Sequence, residues 1–129
     1  MLIVSAVGLL ALLGVAAALE PDPRGYGTHQ RFGLPPCTFR VLFGRRCPTC
    51  GMTTAWACLV RGQLSGALRA NVGGTLLAAL AAVGAPWLLG SALRGRWLGW
   101  TPTDTVLAWL AVAVALITLV DWGLRLWVG

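Results

Sequence analysis

At 129 residues, with 57% hydrophobic and 11% charged residues, the chain has the length of one domain and is too apolar for a water-soluble one. The net charge is +6, yet seven of the ten basic residues, all arginine, lie between Arg24 and Arg69. That stretch separates two apolar runs, the footprint of a cytoplasmic membrane loop, so no nucleic-acid partner is expected.

Leu2 to Leu19 is uncharged and, as a helix rising about 1.5 Å per residue, just spans a hydrocarbon core of roughly 30 Å. Ala16-Ala17-Ala18 also resembles a signal-peptide cleavage site, but no Lys or Arg precedes the run as a signal peptide requires. Glu20-Pro21-Asp22-Pro23 ends the helix, since each proline removes a donor and disfavours helix in the residue before it. Arg24 to Pro36 reads as irregular chain on the membrane surface, with Phe32 and Leu34 placed to dip into the interface. Thr38 to Phe43 fits a short strand and a helical turn equally well.

Cys47-Pro48 has the form of a helix start, with Cys47 as the cap and Cys50 one turn inside. Met52, Ala55, Trp56, Leu59 and Val60 recur on one side until Gly62 offers a stop. Leu64, Ala67 and Leu68 form a second short apolar face flanked by Arg61 and Arg69. Asn71 is a good cap for the uncharged run Val72 to Leu93. In that run Pro86 is expected to kink the helix, and Gly73, Gly74, Gly84 and Gly90 to admit a close neighbour. Trp87, Trp97 and Trp100 should cluster at one membrane face. Thr103 or Asp104 caps a last helix, Thr105 to Val128, in which Asp121 and Arg125 are spaced to pair at the interface beside Trp122 and Trp127.

These elements predict an all-α integral membrane protein of one domain, residues 1–129. Three transmembrane helices (2–19, 72–93 and 105–128) accompany a Cys-bearing loop (20–49) and short interfacial or half-inserted helices (50–70). With three spans, the loop and the last helix end share a side that holds eight arginines against Arg94 and Arg96 on the other. The positive-inside rule then puts the cysteines in the cytoplasm, where thiols stay reduced and metal binding or redox chemistry gains on disulfides.

Cys47-Pro48-Thr49-Cys50 supplies two thiols about a turn apart, Cys37 can fold back as a third, and His29, the sole histidine, is the natural fourth ligand of a zinc site. Cys58 lies about two turns beyond Cys50, on the order of 12 Å, and reads as a small apolar filler. The rival reading is thiol chemistry. A helix N-terminus beside Arg45 and Arg46 would stabilise a Cys47 thiolate, with Cys50 resolving or His29 acting as base. No alternating strand and helix pattern exists from which to build a thioredoxin-like domain.

Gly27-Thr28-His29, Phe32-Gly33-Leu34-Pro35-Pro36-Cys37, Cys47-Pro48-Thr49-Cys50-Gly51-Met52-Thr53-Thr54, Arg61-Gly62 and Arg69-Ala70-Asn71 closely resemble the signature of a bacterial membrane family, domain of unknown function 2752. The family pattern often runs Cys-Pro-Gly-Cys-Gly-x-Thr-Arg and then Asn-Pro. Thr49, Thr54 and Val72 stand here in place of its Gly, Arg and Pro, so no role of that Arg transfers. The resemblance implies a small protein of the bacterial cytoplasmic membrane and singles out Cys37, Cys47 and Cys50, and it brings no reaction with it.

Three functions follow as expectations. The first is a noncatalytic accessory or assembly protein with a structural zinc knuckle, whose partners are the bilayer and other membrane proteins or a second copy. The second is a membrane thiol oxidoreductase or Cys-dependent enzyme using Cys47 and Cys50. The third, a small transporter subunit, is weakened by the lack of an ionisable residue at mid-membrane.

Overall fold

A chain so rich in Ala, Leu, Val and Gly satisfies its backbone locally, and the computed structural model, which describes residues 1–128, is helical with no strand among them. The first apolar run forms α1 (Leu2–Ala18) and stops where Leu19 turns extended ahead of Glu20-Pro21. At 17 residues it is about 26 Å long, short of a hydrocarbon core of roughly 30 Å. The three-span expectation is therefore met only in part: two helices have crossing length and composition, Val72–Leu93 and Asp104–Val128, and α1 is a shorter apolar helix.

The loop after α1 is folded around Asp22, whose carboxylate accepts from the backbone and guanidinium of Arg24 and whose N–H donates to Thr28 Oγ1. The side-chain and backbone hydrogen bonds from Arg24 hold the Asp22 carboxyl down at about 2. A 3-10 turn, Thr28–Phe32, is bracketed by Gly27 and Gly33, both left-handed. Thr28 is fully buried, and its Oγ1 lies 2.6 Å from Thr54 Oγ1.

The segment after Cys37 is a helix, α2 (Thr38–Phe43), ended by left-handed Gly44. The next helix, α3 (Met52–Leu59), begins at Met52 and not at Pro48. Cys47 to Gly51 is a turn, closed by Cys50 N–H to Cys47 O at 3.1 Å and Met52 N–H to Thr49 O at 3.1 Å. Gly51 prevents an earlier start. Its φ of 85° is left-handed, and a Cβ there would lie 2.5 Å from Ala70 O and 2.6 Å from Gly25 O.

Gly62 turns the chain into α4 (Leu64–Ala70), and Ala55, Cys58, Ala67 and Ala70 form the small core between α3 and α4. Cys58 fills that core, as expected of an apolar cysteine, and is 5% exposed. Asn71 then breaks the helix with extended geometry and caps α5 (Val72–Leu93) by accepting from Gly74 N–H at 2.8 Å. Helix α5 runs on through Pro86 to Leu93. Past a turn in which Trp87 stacks near Trp97 and Trp100, α6 (Asp104–Val128) starts with Thr103 Oγ1 accepting from Val106 N–H.

Helices α1, α5 and α6 run in alternating directions, so the end of α1, the start of α5 and the end of α6 meet at the loop. Helix α1 packs along α5, and α5 is the helix that lies alongside α6. The close approach expected of the glycines occurs at Gly73, where Thr118 Oγ1 occupies the space of a Cβ, at Gly74 against Met52, and at Gly90 against Leu98. It does not occur at Gly84, where nothing lies within 4 Å. Burial is inverted relative to a water-soluble domain: the largest fully buried side chains are Thr28, Thr54 and Ser91, while Leu107, Trp109, Leu116, Val120 and Leu124 face outward.

Candidate thiol cluster

Three of the four residues expected to bind metal come together. Cys37 precedes the first turn of α2, Cys47 and Cys50 lie on the turn before α3, and their sulfurs all fall within 4.8 Å of one another. Cys47 is the centre, with its Sγ 3.5 Å from Cys37 and 3.2 Å from Cys50. All four cysteines are free thiols. A tetrahedral zinc with Zn–S of about 2.3 Å separates its sulfurs by about 3.8 Å, so Cys47 would have to draw back from both neighbours, by about half an ångström, for the cluster to supply three legs of a tetrahedron.

Asn71 holds the turn in place. Its Nδ2 donates to Pro48 O at 3.0 Å and Cys50 O at 3.2 Å, while Oδ1 caps α5. Being 2% exposed, this one amide ties the Cys47–Cys50 turn to the start of a long helix. From the α6 side, Trp122 Nε1 donates to Arg46 O at 2.6 Å, and Phe39 meets the Trp122 ring edge-on.

The three thiols are not equivalent. Burial opposes ionisation of Cys47, but hydrogen bonds from Thr49, Cys50 and Cys37 prevail and bring it below the ordinary thiol value. Burial and the hydrogen bond to Cys47 push Cys50 up to about 12. Negative charge in the cluster therefore settles on Cys47. Its cause differs from the one expected, because Cys47 is not a helix cap and Arg46 is turned elsewhere, donating to Arg24 O at 3.0 Å.

His29 lines the same cavity of about 380 Å³ as Cys37, Cys47 and Cys50, but the close-packed group of sulfurs does not include it. The cavity wall also carries Tyr26 and Arg40. The Tyr26 ring is surrounded by the guanidinium groups of Arg40, Arg46 and Arg24, at 3.8, 4.5 and 5.1 Å from its centre, and Arg40 also donates to its hydroxyl. Of the three arginines only Arg24 forms an ion pair among the described residues. Cys47 and Cys50 also border a second cavity of about 410 Å³ on their other side, lined by Arg45, Arg46 and the Asp121–Arg125 pair.

Sequence reasoning missed two further arginines that act as remote helix caps. Arg61 donates to Ala16 O and Ala17 O at the end of α1 and to Ala57 O of α3. Arg125 pairs with Asp121 as expected, and also donates to Leu68 O at 3.0 Å and to Arg69 O at the end of α4. A basic residue beside a helix terminus far away in sequence leaves no local pattern from which to find it.

Neither a curated protein nor a solved structure matches this chain. Over residues 37–85, from the first cysteine of the cluster through most of α5, the chain matches the family model described as Protein of unknown function (DUF2752), the same family that its cysteine blocks resemble.

Proposed function

We propose that this chain is an integral membrane protein that carries a three-cysteine metal site on its cytoplasmic face and serves as a noncatalytic accessory or assembly protein. The observation that carries the reading is the convergence of three free thiols, from two separate turns, within 4.8 Å. Zinc is the ion that suits three thiolates at tetrahedral spacing, and it would crosslink the start of α2 to the turn before α3. His29, on the cavity wall, is the candidate fourth ligand. The outward-facing leucines and tryptophans of α6 favour lipid as its surroundings, with α1 as a third, shorter span packed on α5. Eight arginines at the loop end against two at the other favour the cytoplasm for the cysteines.

Metal analysis of the purified protein tests the reading. About one zinc per chain is expected, lost in Cys37→Ser, Cys47→Ser and Cys50→Ser and weakened in His29→Ala. Metal-free protein that still shows full helix content would overturn it.

A second reading draws on the difference between Cys47, with its lowered pKa, and Cys50, pushed up to about 12, at 3.2 Å. A disulfide-bearing partner attacked by the Cys47 thiolate would leave a Cys47–Cys50 bridge, its two electrons and two protons passing to the partner's thiols. Selective labelling of Cys47 by an alkylating probe near neutral pH, in protein that contains no zinc, would favour this reading over the first.

A further inference from the structure

We propose that the second cavity bordering the thiol turn, together with the apolar groove that leads from it between α5 and α6, binds one anionic phospholipid. The cavity of about 410 Å³ is lined by Arg45, Arg46, Asp121, Trp122 and Arg125. The groove, of about 350 Å³, is walled by Val72 of α5 and by Leu116, Ile117, Val120 and Leu124 of α6. Asp121 lines both, so the two form one slot with a polar head and an apolar tail.

The charges at the head have unequal roles. Asp121 is neutralised by Arg125 at 2.9 Å, and the remaining nitrogens of Arg125 are spent on the carbonyls at the end of α4. Arg46 is already engaged, giving one nitrogen to Arg24 O and lying over the Tyr26 ring, so the positive charge free to meet a ligand rests on Arg45, which is exposed and has no hydrogen-bond partner among the described residues. A ligand complementary to that head carries a net negative charge, and phosphoryl oxygens are the acceptors that guanidinium groups hold best.

The tail decides which phosphate. Leu116 and Ile117 lie about one turn before Asp121 on α6, toward the middle of the helix, and the groove they form with Val120, Leu124 and Val72 is almost wholly apolar. Inorganic phosphate would leave that groove empty, and a zwitterionic lipid would leave the arginines uncompensated. An anionic phospholipid satisfies both ends, with the Trp122 ring between them at the level where tryptophan anchors favour the interface. The inference rests on the membrane placement of α5 and α6 and is independent of the metal reading.

The test is lipid retention. The full chain is reconstituted into vesicles of equal phosphatidylglycerol and phosphatidylcholine, re-extracted in mild detergent, and its bound lipid measured by mass spectrometry. About one phosphatidylglycerol per chain is expected, and Arg45→Gln, which breaks no internal contact, should reduce its retention about fivefold with the same helix content. Ile117→Trp, which fills the groove and leaves the arginines alone, should reduce it as well. Retention of both lipids in the vesicle ratio, or unchanged retention in Arg45→Gln, overturns the proposal. So does displacement by millimolar inorganic phosphate, which would assign the cavity to the free ion. Recovery of the chain as a detergent-free soluble monomer would instead remove the membrane placement on which the inference stands.

Discussion

The two ends of the helical bundle are tied by different means. At the end away from the cysteines the contacts are local: Trp87 Nε1 donates to Leu98 O, Leu98 N–H to Ser91 Oγ, and Arg96 N–H to Ser91 O. At the cysteine end the ties come from far along the chain. Arg61 caps α1, Arg125 caps α4, Asn71 holds the thiol turn, and Trp122 holds Arg46 O across 76 positions. The far end needs only to reverse the chain between two helices. The cysteine end has to hold three sulfurs that no single helix or turn could hold, so its rigidity is drawn from every helix that reaches it.

That difference predicts where substitution is most damaging. The largest effect is expected at Gly51, where any side chain meets two backbone carbonyls and a φ of 85° at once. Gly51→Ala should cost about 3 kcal/mol or more and abolish metal retention, whereas Gly95→Ala, at a left-handed glycine of the opposite turn with open space around it, should cost about 1 kcal/mol. Thermal melts followed by circular dichroism in detergent, beside zinc content, check the pair. Equal losses at both glycines would remove the distinction between the two ends.

Asn71 separates capping from clamping. Asn71→Asp keeps an oxygen for Gly74 N–H but removes the donor to Pro48 O and Cys50 O, and Asn71→Ala removes both. The alanine variant should lose about 2–4 kcal/mol. The aspartate variant should keep α5 intact by helix content while zinc retention falls, because the turn loses its tie. If aspartate held zinc as well as asparagine does, the clamp would have no part in placing the thiols.

What the sequence revealed follows the same division between local and distant. Helices α5 and α6, the Asn71 cap, the Asp121–Arg125 pair and the tryptophan cluster at the far turn were legible because each depends on neighbours within a turn or two. Cys37, Cys47 and Cys50 were legible as a group because two short turns bring them together. The start of α3 was misread because Cys47-Pro48 satisfies the local rule for a first helical turn. The feature that overrides it, Gly51 pressed against Ala70 O and Gly25 O, exists only once α4 and the loop have packed. The second half of Asn71's role and the remote capping by Arg61 and Arg125 were hidden for the same reason.

The arginine caps should show the comparison at an intermediate scale. Arg61→Met keeps the aliphatic stem but leaves Ala16 O and Ala17 O without a donor, for an expected loss of about 1–2 kcal/mol. Trp87→Phe at the opposite end gives up one hydrogen bond to Leu98 O and retains most of the ring packing, for about 1 kcal/mol. The discriminating readout is the site itself. Arg61→Met loosens the α1–α3 junction and should raise the reactivity of the loop cysteines toward an alkylating probe, whereas Trp87→Phe should leave it unchanged.

The smallest expected effect is at Gly84, and it is set against Gly73 of the same helix. At Gly73 a methyl group would overlap the Thr118 hydroxyl, which already donates to Val114 O within α6, so Gly73→Ala forces α5 and α6 apart at the cysteine end. At Gly84 nothing lies within 4 Å, and Gly84→Ala should be neutral or stabilise by up to about 1 kcal/mol through helix propensity alone. Because α6 carries Trp122 to Arg46 O and Asp121 to Val72 N–H, the displacement at Gly73 is transmitted to the loop. Paired cysteine crosslinking between Val72 and Val120 should therefore weaken in Gly73→Ala and persist in Gly84→Ala. Persistence in both would mean that the Gly73 crossing yields locally and that α6 does not hold the thiol turn in register.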